Sequence, residues 1–89
     1  MLLYPEFHVT TPEKRVVAHA EDIQLGISSK TGTPMLGLHL KEAGWSDKYV
    51  GWVYVQPKDL QALCVGELPI LHTTLGPDAT PVQLEHVKP

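Results

Sequence analysis

The sequence predicts a small domain that is mostly β-strand with one short helix. Apolar and polar residues alternate over several short runs, and turn-forming residues interrupt the chain about every ten residues, as in proteins built from short strands. One segment alone changes to helical spacing. A chain of 89 residues provides one hydrophobic core, so we expect a single domain spanning residues 1–89.

Three predicted strands occupy the first part of the chain. The first is long and bent, over residues 14–28, and Ile23, Leu25 and Ile27 alternate in it with polar or small residues, which predicts one buried face. A run of turn formers follows, in which Gly32 can supply the positive φ of a hairpin loop. The second and third strands are predicted over residues 35–41 and 48–55, with a polar loop over 42–47 between them.

The helical spacing begins at Pro57, a residue that fits the first turn of a helix. Leu60, Leu63 and Cys64 form an apolar stripe, and Gly66 ends the segment. A helix of about nine residues is too short to be stable alone, so we expect the stripe to dock onto a sheet.

A hairpin is predicted at the end of the chain, with strands over residues 68–75 and 81–87. The element order is therefore β-β-β-α-β-β, which is the order of the five-stranded OB barrel with its Greek-key closure. Residues 2–10 could add an N-terminal strand or a clasp. Pro5 and Pro12 predict that this strand lies at an edge, because proline cannot donate to a strand ladder.

The first hairpin, Ile23 to Leu38 with the sequence IQLGISSKTGTPMLGL, resembles that of small phage-type single-stranded-DNA-binding proteins. In that family a strand runs into a turn of Ser or Lys, Thr or Asn, then Gly, and returns as an apolar strand. The resemblance implies an OB-type fold whose second and third strands carry single-stranded nucleic acid. Lys30, Lys41, Trp52 and Tyr54 lie on the corresponding segments.

The charge distribution leaves this function open. A net charge of −3 argues against a general affinity for polyanions, since nucleic-acid binders usually carry a basic excess. Residues 30–58 are the mildly basic part of the chain, although lysines that simply solvate turns explain the same excess. Six basic or aromatic residues of this part are the candidate binding residues: Lys30, His39, Lys41, Lys48, Trp52 and Tyr54.

The orientation of the aromatic residues has two interpretations. Trp52 and Tyr54 fill the core if they share its face with Val50, and they stand on an open face beside His39 and Lys41 if Val53 and Val55 are the core residues. On an open face they could stack against bases. The same face could instead bind protein, because Trp and Tyr are enriched at interface hot spots.

No catalytic or metal-binding arrangement is recognisable in the sequence. Cys64 on the helix stripe is expected to be a small core residue, and His72 with His86 would supply only two metal ligands. We therefore expect a protein that is not an enzyme and uses neither cofactor nor metal. The chain shows neither a signal sequence nor an apolar run of membrane-spanning length, and its single cysteine fits a reducing cytoplasm.

The sequence thus favours a non-catalytic OB-like module that binds single-stranded nucleic acid, as an accessory in phage-type replication or recombination. The alternative is a small acidic protein-interaction module, such as an adaptor, a subunit or a viral inhibitor of a host protein, that uses the same aromatic face. A homodimer is also an option, since a barrel this small gains stability by burying a face.

Overall fold

The computed structural model describes residues 5–44 and 48–87. It consists of strands and one helix in the predicted order. The elements are β1 (Glu6–Thr10), β2 (Arg15–Ile27), β3 (Pro34–Glu42), β4 (Tyr49–Val55), α1 (Pro57–Val65), β5 (Leu71–Leu75) and β6 (Thr80–His86). The predicted strand over residues 2–10 and the predicted loop over residues 42–47 lie partly outside the described residues.

The six strands form a closed antiparallel barrel. The predicted class, a mostly β small barrel with one short helix, is confirmed. Each strand lies beside its neighbours in sequence, and β1 pairs with β6 to close the barrel. This up-and-down order differs from the expected Greek key, because the N-terminal strand supplies the closure.

The N-terminal strand is real, but its predicted position at an edge is wrong. β1 pairs with β2 on one side and with β6 on the other. Pro5 and Pro12 lie outside the strand, so every residue from Glu6 to Thr10 keeps its backbone N–H. Phe7 and Val9 point inward and are fully buried.

The barrel interior is filled by apolar side chains from all six strands and from α1. Small residues alternate with larger ones around it, as expected for close packing. The buried residues are Phe7, Val9, Ala18, Ala20, Leu38, Leu40, Val53, Val55, Leu63, Leu71, Val82 and Leu84.

The helix packs on the core as predicted. Leu63 is 1% exposed, and Leu60 and Cys64 are partly buried against the core. Gly66 ends the helix with φ 85°, in the left-handed region that glycine favours, and the backbone N–H of Glu67 donates to the Ala62 carbonyl. Within residues 5–44 and 48–87, no helix has both the length and the apolar character to cross a membrane.

The predicted burial of the end of β2 is wrong. Ala18 and Ala20 are the buried residues of this strand, and the register against β3 shifts between Ala20 and Asp22. The shift is a β-bulge, which moves the following side chains to the other face. Ile23, Leu25 and Ile27 then share a face, but they lie on a hairpin that extends past the barrel, and Leu25 and Ile27 are 72% and 76% exposed.

Candidate functional site

A row of stacked rings occupies the outer face of β3 and β4. The ring of His39 lies between Tyr49 and Trp52, with centroid distances of 4.1 Å and 4.4 Å. The ring planes are within 4° and 3° of parallel with His39. Tyr49, His39 and Trp52 therefore form one continuous stack, which we call the aromatic row.

The orientation of the aromatic residues is now settled. Val53 and Val55 are buried in the barrel, whereas Trp52 is half-buried and Tyr54 is 57% exposed. Of the two interpretations left open by the sequence, the open-face one is correct. His39 and Lys41 lie beside these aromatics, on the adjacent strand.

A bulge in β4 brings Tyr49 into the aromatic row. Strict alternation of side chains would place Tyr49 and Trp52 on opposite faces of the sheet. The sequence pattern therefore does not indicate Tyr49 as a site residue. The register shifts so that Gly51 pairs with Leu40 but Tyr49 pairs with Lys41, leaving Val50 as the extra residue. Gly51 has φ 139°, a conformation that residues with a side chain rarely adopt. A glycine inside a strand is the sequence signal that could have indicated this bulge.

Tyr54 and Trp52 cover a glycine on the neighbouring strand. Gly37 pairs directly with Tyr54. A Cβ atom at Gly37 would lie 3.2 Å from Tyr54 Cε1 and 3.5 Å from Trp52 Cε3, so the absence of a side chain lets both rings lie close to the strand. Aromatic coverage of this kind also compensates the weak packing of a glycine in a sheet.

Beside Trp52 and Tyr54 lies an open groove with a volume of about 580 Å³. It runs from the β4 aromatics across β3 to the far end of the β2–β3 hairpin. Its lining combines aromatic, apolar and small polar residues, and Lys30 at the hairpin turn is its only charged residue among those described. The lining comprises Gln24 to Lys30, Met35, Gly37, Trp52 and Tyr54.

The backbone beneath the aromatics is fixed by contacts with β5 and the turn that follows it. The Gly76 N–H donates to the Trp52 carbonyl at 2.8 Å. The Thr73 hydroxyl donates to the Tyr54 carbonyl at 2.9 Å. Both residues of β4 that line the groove are thereby attached to the neighbouring strand β5 or to the turn that follows it.

One end of the aromatic row carries a cation. Lys41 Nζ lies 5.6 Å from the centroid of the Tyr49 ring, within the range of a cation–π contact. It also lies 3.8 Å from Glu21 Oε2, which offsets part of its charge. Asp22 pairs with His39 across the strands, so the field over the aromatic row is mixed in sign.

Two other cations are placed away from the groove. Lys48 is exposed and lines a separate cleft of about 380 Å³ with Lys14 and Tyr49. Arg15 donates to Glu85 Oε2 at 3.1 Å and lies 2.7 Å from His8 Nδ1.

Five of the six predicted site residues share one outer face of the β2–β3–β4 sheet: Lys30, His39, Lys41, Trp52 and Tyr54. Lys48 does not line the groove.

Cys64, His72 and His86, which the sequence suggested as a possible nucleophile and possible metal ligands, do not line the groove. Within the residues described, no three His, Cys, Asp or Glu side chains converge as metal ligands. His72 pairs with Gln83 and His86 pairs with Phe7, so these two histidines do not face each other. Burial raises the pKa of the Cys64 thiol above its usual value, which disfavours the nucleophilic thiolate.

Comparison with known proteins gives no relative for this chain. It matches no family model, no curated protein and no solved structure. We therefore infer the function from the geometry of the aromatic row and the groove.

Proposed function

We propose that this protein is a non-catalytic module that binds single-stranded nucleic acid along the outer face of β3 and β4. The observation that carries the proposal is the aromatic row leading into a groove edged by Trp52, Tyr54 and Lys30. Its first hairpin resembles that of phage-type single-stranded-DNA-binding proteins, which favours an accessory role in replication or recombination.

Stacking supplies the attraction in this proposal. Bases stack on aromatic side chains whatever their sequence, since every base has a π-face, and each such contact contributes about 1–3 kcal/mol. Tyr54 offers the most exposed ring in the groove, and the half-buried Trp52 is held in place by its stack with His39. A fixed ring loses little conformational entropy on binding, which favours affinity.

The electrostatic part of the binding should be small. Lys30 lines the groove, and Lys41 lies at the end of the aromatic row, 3.8 Å from Glu21 Oε2, so these two lysines supply at most two phosphate contacts. Two contacts on a single strand predict that the logarithm of the affinity falls with the logarithm of the salt concentration with a slope of about −1.4. The acidic chain should therefore bind weakly to duplex DNA, whose bases are already stacked with one another.

Tryptophan fluorescence can test the proposal. Trp45→Phe leaves Trp52 as the only tryptophan, and titration with an oligothymidine at low salt should quench its emission in a saturable way. Tyr54→Ala should weaken binding by about 1–3 kcal/mol. Lys30→Ala should bring the salt slope to about −0.7, whereas Lys58→Ala, the same charge change on α1, should leave it unchanged.

The titration at low salt decides whether this face binds nucleic acid. Absence of saturable quenching there, where attraction to phosphate is strongest, would rule out nucleic-acid binding at this face. Equal effects of Lys30→Ala and Lys58→Ala would show that only the overall charge matters, and not the groove.

A second function, protein binding through the same face, is favoured by the composition of the groove. Lys30 is its only charged residue among those described, and the exposed Leu25 and Ile27 line it. Trp, Tyr and apolar residues that exclude water are typical of interface centres. A partner protein captured by the wild-type chain but not by Trp52→Ala, combined with a negative oligonucleotide titration, would support this function.

A further inference from the structure

Both faces of the His39 imidazole are covered by aromatic rings. Tyr49 lies against one face with its centroid at 4.1 Å, and Trp52 lies against the other at 4.4 Å. A base needs an uncovered ring face on which to stack. His39 therefore cannot stack on a base, and it can contact a ligand only through the edge of its ring.

The edge of an imidazole carries its two nitrogen atoms. In the neutral ring one nitrogen donates a hydrogen bond and the other accepts one, whereas in the charged ring both donate. A phosphate oxygen accepts, and hydrogen bonds between charged groups are roughly twice as strong as neutral ones. Histidine is also the side chain that gains a charge between about pH 5 and 8. A proton on the partly exposed His39 therefore makes the edge of its ring a donor suited to phosphate.

The charges around His39 make its own charge important. Asp22 pairs with His39 from β2, and Lys41, two residues along β3, lies 3.8 Å from Glu21. With neutral imidazoles, these two carboxylates and one ammonium group give a local charge of −1, which repels phosphate. One proton on His39 cancels that charge. Among the described residues, the titratable groups on this part of the face are His19, Glu21 and Asp22 on β2, Lys41 on β3, and Tyr49 and Tyr54 on β4.

We propose that His39 binds a phosphate of the nucleic acid through its ring edge and does so in its protonated form. Trp52 belongs to both the aromatic row and the groove, so a strand that fills the groove passes within one ring of His39. The imidazolium stays between Tyr49 and Trp52, whose ring faces attract a cation. This role rests on the proposed nucleic-acid binding, and it predicts that affinity rises as the pH falls.

Fluorescence anisotropy of a rhodamine-labelled oligothymidine tests this dependence at about pH 7.5 and about pH 5.5. The dissociation constant of the wild-type chain should be about tenfold lower at the lower pH, as expected for one added hydrogen bond between charged groups. The salt slope should also become steeper by about 0.7, because one more phosphate of a single strand is neutralised. Thymine takes up no proton in this range, so a change would come from the protein.

Two substitutions separate the charge of His39 from its place in the stack. His39→Phe keeps an aromatic ring between Tyr49 and Trp52 but takes up no proton, so its affinity and salt slope should be the same at both pH values. His39→Arg supplies a flat, permanently charged group that stacks on aromatic faces, and it should bind at the higher pH about as tightly as the wild-type chain does at the lower pH. His72→Gln removes an exposed histidine of β5 that does not line the groove, and it should keep the full pH dependence.

Three outcomes of these titrations would overturn the role of His39. Equal wild-type affinities at the two pH values would show that binding does not use an imidazolium, while the proposed nucleic-acid binding would stand. Loss of the pH dependence in His19→Phe but not in His39→Phe would assign the proton to the other histidine of this face. Absence of binding at both pH values would remove the proposed function together with the role of His39.

Trp52 fluorescence tests the protonation without nucleic acid. In the Trp45→Phe chain, Trp52 is the only tryptophan, and a protonated imidazole in contact with an indole quenches its emission. The emission should therefore fall between the higher and the lower pH, and adding His39→Phe should abolish this change. An emission that stays constant in the Trp45→Phe chain would show that His39 remains neutral in the stack and would overturn the proposal.

Discussion

The two halves of β2 differ in a way that hydrophobicity does not explain. In the barrel half, the small side chains of Ala18 and Ala20 are fully buried. In the hairpin half, the larger apolar side chains of Leu25 and Ile27 are mostly exposed. Burial here depends on what covers the strand. The barrel half pairs with β1 and faces the filled barrel interior, whereas in the hairpin half no described strand other than β3 pairs with β2.

Leu63→Ala tests whether the cover on the barrel half contributes to stability. Leu63 is the fully buried contact of α1, so its truncation should lower the free energy of unfolding by about 2–5 kcal/mol. Urea denaturation measures this change, and Val65→Ala on the exposed side of the same helix is the matched control. A loss below about 0.5 kcal/mol for Leu63→Ala would mean that the helix does not hold the core.

Ala20→Leu makes the barrel half resemble the hairpin half in side-chain size. The interior around Ala20 is closely packed, so the added volume should destabilise the fold by about 1–3 kcal/mol. The same denaturation experiment measures it. A neutral or stabilising result would indicate unfilled space next to the β2 bulge.

Gly51→Ala tests the second bulge, which places Tyr49 in the aromatic row. The positive φ of Gly51 and a new Cβ 3.1 Å from Leu75 Cδ1 should together cost about 1–3 kcal/mol. Gly26→Ala is the control, because a Cβ there meets nothing within 4 Å. Near-UV circular dichroism should also change for Gly51→Ala as the stack rearranges. An unchanged spectrum would show that the bulge does not position the aromatic row.

Leu25→Ala should have the smallest effect. In dilute monomer the free energy of unfolding should change by less than about 0.5 kcal/mol, as for other exposed positions. A larger loss that depends on protein concentration would show that Leu25 lies in a contact between molecules. A larger loss independent of concentration would show that the hairpin folds back onto its own barrel.

The sequence predicted the strands and the helix better than the contacts that cover them. Local signals were sufficient for the strands, for Gly32 in the hairpin turn and for the helix between Pro57 and Gly66, because turn and cap conformations depend on neighbouring residues. Alternation predicted that Ile23, Leu25 and Ile27 share a face, but whether a face is covered depends on distant strands. The closure of β1 on β6 was missed for the same reason.

The candidate site was predicted in part. Apolar and aromatic residues lie on both faces of β4. Periodicity could therefore not decide whether Trp52 with Tyr54, or Val53 with Val55, are the core residues. Tyr49 was missed because a bulge breaks the alternation, and Lys48 was included although it lines a different cleft. Its place in the sequence is close to the aromatic row, but strand register decides the neighbours of a side chain.

The up-and-down strand order has a consequence for how the chain folds. The hairpins β2–β3, β3–β4 and β5–β6 join segments that are close in sequence, whereas β1 and β6 come from opposite ends of the described chain. Ordering so long a stretch delays the final contact, since loop-closure entropy must be lost before that pairing contributes. We therefore expect the β1–β6 seam to form after the rate-limiting step, so that changes at Phe7 or Leu84 speed unfolding and leave the folding rate nearly unchanged.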